Sequence, residues 1–158
     1  RAGNRRGAKL KGEIASSDDA ALRQAASSWL SKAKPRDYVS IQAYISPTPE
    51  HDAALQSISE ALRNRLGIAV TVGYGPRFLH STGQLHKGGP NTVLVLQIVD
   101  QPTDDVPVPE TDYTFGALIE AQALGDFTAL KQRRRRALRI NLGNDTEAGL
   151  ERLSEALR

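Results

Sequence analysis

The sequence predicts an α/β protein of three layers: a mostly parallel sheet of four to five strands with helices on both faces. Segments with apolar residues at helical spacing alternate with short β-rich runs, the order that parallel strands joined by right-handed crossovers require. Residues 93–99, Val-Leu-Val-Leu-Gln-Ile-Val, form a nearly continuous apolar run, as in strands covered on both faces, and this run is placed at the sheet's centre. At 158 residues the chain fits one domain, long enough to bury roughly two thirds of its unfolded surface.

The elements follow in order. From Asp18 to Lys34, Ala21, Leu22, Ala25, Ala26, Trp29 and Leu30 recur at helical spacing, with Ser17 or Asp18 as N-cap and Pro35 closing the segment. Residues 38–45 are rich in β-formers and end before Pro47 and Pro49, which predicts a strand. Thr48-Pro49-Glu50 opens a second helix that runs to Leu66, and Gly67 supplies a left-handed stop. Ile68–Val72 is the next strand. The stretch 100–112 holds three prolines and five carboxylates, so a surface excursion is expected. Helical spacing returns from Tyr113 to Arg136 through Phe115, Leu118, Ile119 and Ala123, with Gly125 dividing the pattern into one helix or two. Ala137–Leu142 is a fourth strand, Gly143-Asn144 a turn, and Asp145–Leu157 a closing helix capped by Asp145 or Thr146.

Composition narrows the function classes. The 39% hydrophobic and 25% charged residues are ordinary for a globular domain, and no apolar stretch nears the ~20 residues that span a bilayer; a cytoplasmic, membrane-free protein is expected. With no cysteine there is no disulfide framework and no thiolate nucleophile. The chain opens without methionine on Arg1-Ala2-Gly3-Asn4-Arg5-Arg6 and reads as a fragment, with residues 1–17 a flexible basic segment at a truncation edge and residues 18–158 the folded unit. The net charge of +3 comes from that segment and from Arg133–Arg136. Neither is interleaved with aromatics, which make up 5% of the chain, so nucleic-acid binding is not expected. The arginine block reads as a solvated helix end whose cations complement the carbonyl pole.

Residues 76–92, Pro-Arg-Phe-Leu-His-Ser-Thr-Gly-Gln-Leu-His-Lys-Gly-Gly-Pro-Asn-Thr, hold two of the three histidines, three glycines and a lysine between two strands. Parallel folds bind ligands beyond the carboxyl ends of their strands, and this segment follows one. His80 is the candidate catalytic group, because an imidazole gives and takes protons near neutrality. His86 ranks below it. The two rings lie six residues apart, and no Asp, Glu or Cys in the segment completes a metal set, so no metal is predicted. Ser81 and Thr82 either bond a ligand hydroxyl or cap a helix beginning near His80. Lys87 attracts a phosphate or stands exposed. Gly88-Gly89-Pro90 fits neither nucleotide-binding glycine pattern and reads as a turn.

At these residues a resemblance becomes specific. The run from Gly73 to Thr92, with Tyr113-Thr114-Phe115-Gly116 and Ala121-Gln122-Ala123-Leu124-Gly125-Asp126-Phe127, resembles the C-terminal part of glucose-6-phosphate isomerases, most closely the form fused behind transaldolase in some bacteria. It extends from about Trp29 to the last strand. Leu79-His80-Ser81-x-Gly83-Gln84 is similar to the Leu-His-Ser-Met-Gly-Gln of stand-alone bacterial isomerases.

The resemblance implies an aldose-ketose isomerase that interconverts glucose 6-phosphate and fructose 6-phosphate through ring opening and an enediol, without metal or organic cofactor. His80 matches the family's ring-opening histidine, and Gln84 holds the sugar or the ring. Ser81, Thr82 and Lys87 complete the expected substrate contacts. The family's glutamate base and its phosphate-holding serines and threonines belong to an earlier segment, so the partners implied are the sugar phosphate and the remainder of a parent chain, with homodimers common in the family. One departure stands out: the family's C-terminal Gly-Val-Glu-x-x-Lys reads Gly149-Leu150-Glu151-Arg152-Leu153-Ser154 here, which leaves Lys87, Arg152 or no cation at all to serve for that lysine. The alternatives are a non-catalytic sugar-phosphate-binding module and, less favoured, a basic nucleic-acid-binding domain.

Overall fold

The computed structural model describes residues 12–158; most of the basic N-terminal segment, residues 1–11, lies outside them. Five strands form one all-parallel sheet: β1 (Glu13–Ala15), β2 (Tyr38–Tyr44), β3 (Ala69–Tyr74), β4 (Val93–Val99) and β5 (Arg136–Asn141), in the order β1-β5-β4-β2-β3. The crossovers carry α1 (Asp19–Leu30), α2 (Pro49–Leu66), a single 3₁₀ turn (Arg77–Leu79) with α3 (Thr82–Gly88), and α4 (Phe115–Gln132); α5 (Thr146–Leu157) closes the chain. This is the three-layer α/β arrangement the alternating pattern predicts, with β4 central.

The starts of four helices are set by side chains that satisfy an orphan amide. Asp18, Thr48, Thr114 and Asp145 accept from the backbone N–H groups of Ala21, His51, Ala117 and Ala148 at 3.0–3.2 Å. Gly67 ends α2 at φ 65°, in the left-handed region where glycine is unstrained.

Three local expectations are corrected. Residues 13–15, inside the segment read as flexible, form an edge strand; three residues are too few to show a pattern, and the pairing partner is distant β5. Gly125 does not divide α4, because it sits on the exposed side of an Ala- and Leu-rich helix that tolerates one glycine at a cost of about 1 kcal/mol. Only the first half of the arginine block is a solvated helix end: Arg133, the C-cap of α4, and Arg134 are exposed, whereas Arg135 and Arg136 are engaged within the fold. Arg134 turns the chain at φ 54°, and Arg136 then opens β5 and donates to Asp37 Oδ1 and Oδ2 at 3.1 and 2.5 Å. That guanidinium holds the Asp37 carboxyl below its usual range.

The two sheet faces differ in chemistry. Val39, Ile41, Ala43, Leu94, Leu96, Ile98, Leu138 and Ile140 point to one face and pack with Leu22, Trp29, Leu55, Ile58, Leu62, Leu150 and Leu153 of α1, α2 and α5. Period-2 alternation sends the other register to the opposite face. There Gln42, Gln97, Arg139 and Glu13 lie in one row across four strands, beneath α4. Arg139 is fully buried. Its Nε donates to Glu13 at 2.7 Å, its Nη2 to Glu120 of α4 at 2.7 Å, and its Nη1 to Gln97 Oε1, while Gln97 Nε2 donates to the Ala123 carbonyl at 3.0 Å.

A buried cation is tolerated only while its partners remain, so removing one member is costly. Arg139→Ala, which leaves two carboxylates facing each other, is expected to lower stability by about 3–5 kcal/mol in urea denaturation; an unchanged midpoint would show that the cluster holds nothing together.

Candidate functional site

β3 delivers the histidine segment to the carboxyl edge of the sheet. After Tyr74 the chain passes the cis Gly75–Pro76 bond, makes the 3₁₀ turn and reaches His80. The His80 ring is exposed and makes no hydrogen bond among the described residues. In α3 the buried positions are Gly83 and His86, one helical turn apart. A Cβ at Gly83 would lie 3.2 Å from the Phe78 carbonyl, so glycine lets α3 close on the preceding turn. The opposite side, Ser81, Thr82, Gln84 and Leu85, faces solvent. His80, Ser81, Thr82 and Gln84 thus form one accessible strip. Ser81 occupies the N-cap position yet makes no capping bond, contrary to the capping role weighed for it.

The remaining members of the motif are committed elsewhere. His86 is 2% exposed, with Nδ1 2.9 Å from Tyr38 Oη and Nε2 3.0 Å from Ser40 Oγ. Burial lowers its pKa, and the neutral ring divides donor and acceptor roles between the two hydroxyls. Lys87, expected as a substrate contact, is held in an ion pair: its Nζ lies 2.9 Å from Asp126 Oδ1, on a carboxylate 2% exposed. A carboxylate buried under α4 requires a counter-charge, and Lys87 is the cation that the last turn of α3 brings to it. Arg135 fixes the Gly-Gly turn by donating to the carbonyls of Lys87 and Gly89 at 2.7 and 2.6 Å, where a cation meets a helix C-terminus.

Neither cation weighed as a substitute for the family lysine is free. Besides the Lys87 pair, Arg152 Nε donates to the Ser16 carbonyl at 3.1 Å. Ser154 itself lies in the groove between α2 and α5, beside Glu50, His51, Glu147 and Glu151.

A cleft of about 250 Å³ opens where the strand order reverses, at the carboxyl ends of β2, β3 and β4 and under the start of α4. It contains groups the sequence reading missed. Asp100, assigned to the surface excursion, is the residue that directly follows the central strand, and that position was the available signal. Burial raises its pKa, while the Thr146 hydroxyl, donating to Oδ2 at 2.9 Å, opposes the shift. Glu120 is raised by burial against the pull of Arg139. Arg77 reaches the cleft rim three residues before His80. The third histidine, His51, donates Nδ1–H to the Ser46 carbonyl at 2.7 Å at the base of α2. Among the described residues no three His, Cys, Asp or Glu side chains are grouped to hold a metal ion, and no helix is long and apolar enough to cross a membrane.

The His86 environment predicts a pH dependence. Its folded pKa lies below the unfolded value, so the unfolded chain binds more protons as pH falls, and stability present above about pH 6.5 declines below it by up to ~1.4 kcal/mol per pH unit. Urea midpoints at pH 7.5 and 5.5 should differ less for His86→Gln than for the native chain. An equal difference in both would remove His86 as the buried neutral group.

No family model and no curated protein matches the sequence. The fold is similar to the crystal structure of a hypothetical protein from Thermus thermophilus, with a TM-score of 0.67 and 21% identity over 89% of this chain and 37% of that one. The chain therefore spans well under half the length of that structure, and the likeness shows the α/β fold.

Proposed function

We propose that this chain is the C-terminal subdomain of a cytoplasmic aldose-ketose isomerase that interconverts glucose 6-phosphate and fructose 6-phosphate, with His80 as its ring-opening group. The observation that carries the reading is the contrast between the histidines. His51 and His86 are tied to backbone or hydroxyl partners, whereas the motif's first histidine stands open to solvent at the edge where parallel sheets bind ligands.

Ring opening breaks the bond between C1 and the ring oxygen. His80 in its imidazolium form hands a proton to that oxygen while the C1 hydroxyl gives its own to a water molecule, leaving the imidazole neutral; ring closure reverses both transfers. Thr82, Ser81 and Gln84, exposed beside the ring, supply hydroxyl and amide contacts to the sugar. The base that moves the proton between C1 and C2 comes from another part of a longer chain. In support of such a lobe, Leu85 next to Gln84 and Val106, Tyr113, Phe115, Leu118 and Ile119 in and before α4 are all exposed, Leu85 and Val106 by more than half. Apolar surface gathered on one layer marks an interaction face. The isolated subdomain is accordingly expected to be inactive.

In the complete chain, His80→Asn should cut kcat on the cyclic sugar by roughly 10²–10⁴ and spare turnover of the open-chain form. An undiminished rate on the cyclic substrate would overturn the assignment. Tight sugar-phosphate binding by a complete native chain that never turns over would establish the non-catalytic module instead.

A further inference from the structure

None of the residues proposed to contact the sugar lines the cleft at the reversal of strand order, and that cleft is rich in acceptors and poor in donors. Pro47, Pro76 and Pro102 bring no N–H to its walls. Glu120 Oε1 accepts from Arg139 at 2.7 Å, but Arg139 also serves Glu13, so one positive charge answers two carboxylates, and no hydrogen bond reaches Glu120 Oε2 among the described residues. Asp100 takes one side-chain bond, from Thr146. Burial pushes both carboxyls up in pKa, as it does where carboxylates are short of counter-charge. Tyr44, 3% exposed, forms part of the wall, and its hydroxyl has no partner among the described residues. Arg77 at the rim is exposed and makes no ion pair among the described residues.

We infer that the cleft is a site for a small amino acid, whose ammonium sits between Glu120 and Asp100, whose carboxylate meets Arg77 and whose apolar side chain lies against Tyr74 and Ile119. An ammonium carries N–H donors and no acceptor. It therefore fills open carboxylate oxygens without adding a lone pair that would need a donor in turn, as a hydroxyl does, and it supplies the counter-charge that desolvated carboxylates require. A guanidinium grips a carboxylate through paired N–H donors, which gives the ligand's other end its partner at the rim. Opposite charges at the two ends of one cavity thus select a zwitterion over a simple cation or anion. The size selects a small one, because about 250 Å³ lies below the ~300–1,000 Å³ of pockets for drug-sized molecules. The place is also the one where open parallel sheets take ligands, beyond the carboxyl ends of strands at a switch point.

Backbone amide NMR of the 158-residue chain tests this, with L-valine, isobutylamine, isovalerate and glucose 6-phosphate each titrated to about 10 mM, ten times a millimolar Kd. L-valine should shift the amides of residues 44–46, 75, 77, 100 and 116–120, and isobutylamine the same set more weakly. Isovalerate, which lacks the ammonium, should leave them unmoved. Glu120→Gln, which keeps an oxygen for Arg139, should weaken both amines roughly tenfold. Arg77→Gln, which removes no contact among the described residues, should weaken L-valine and spare isobutylamine. Cleft amides silent to L-valine, isovalerate binding as well as L-valine, or affinities untouched by both substitutions would overturn the proposal, as would shifts produced by glucose 6-phosphate and not by L-valine. Each of these outcomes is separate from the loss of ring opening in His80→Asn, which tests the isomerase reading.

Discussion

A guanidinium enclosed in the middle of a parallel sheet sets the terms for one whole side of this protein. Arg139 has no access to water, and a charge so placed persists only where the surroundings bring oxygens to it. Those oxygens come from the edge strand through Glu13, from the central strand through Gln97 and from the overlying helix through Glu120. One side chain thereby fixes the attachment of β1, the seating of α4 and the wall of the cleft. The opposite face needs no such device, since aliphatic packing between α1, α2, α5 and the strands is non-directional.

This division explains where chemistry is accommodated. The apolar face is closed by three helices of twelve or more residues and leaves little room for polar groups. The polar face has one long helix and one short one, and a second set of contacts holds the short one, tying α3 to α4 through Lys87 and Asp126 and to β2 through His86, Tyr38 and Ser40. These contacts clamp the inner side of α3 and leave its outer side, with Ser81, Thr82 and Gln84, facing outward on a backbone held from beneath. A rigid support under exposed polar residues is what a binding site requires. Arg77, three residues before His80, lines the cleft at the switch point of the sheet together with Glu120.

Much of the fold was legible because its signals are local. Caps at Asp18, Thr48 and Asp145, the Gly67 stop and the unbroken run of β4 act within a few residues of where they are written. What escaped depended on partners far away in the chain. Glu13–Ala15 is a strand because β5 offers it an edge 126 residues later. Arg135 and Arg136 looked like helix-end solvation but are directed at carbonyls and a carboxylate from the segments preceding β2 and β4. Lys87 gave the same misleading impression of freedom, since nothing near it in sequence announces Asp126.

The candidate site divides along the same line. Taken alone, the sequence determined the alternation of helices and strands, and the placing of His80, Ser81, Thr82 and Gln84 after a strand, because periodicity and position along the chain express both. Only the tertiary structure decided which histidine is free and which is locked, and that Lys87 and Arg152 are engaged. It alone gathered Asp100, Glu120 and Arg77 around one cleft. The physical reason is that burial and charge pairing are properties of neighbours in space, and a parallel sheet makes neighbours of residues that the chain keeps far apart.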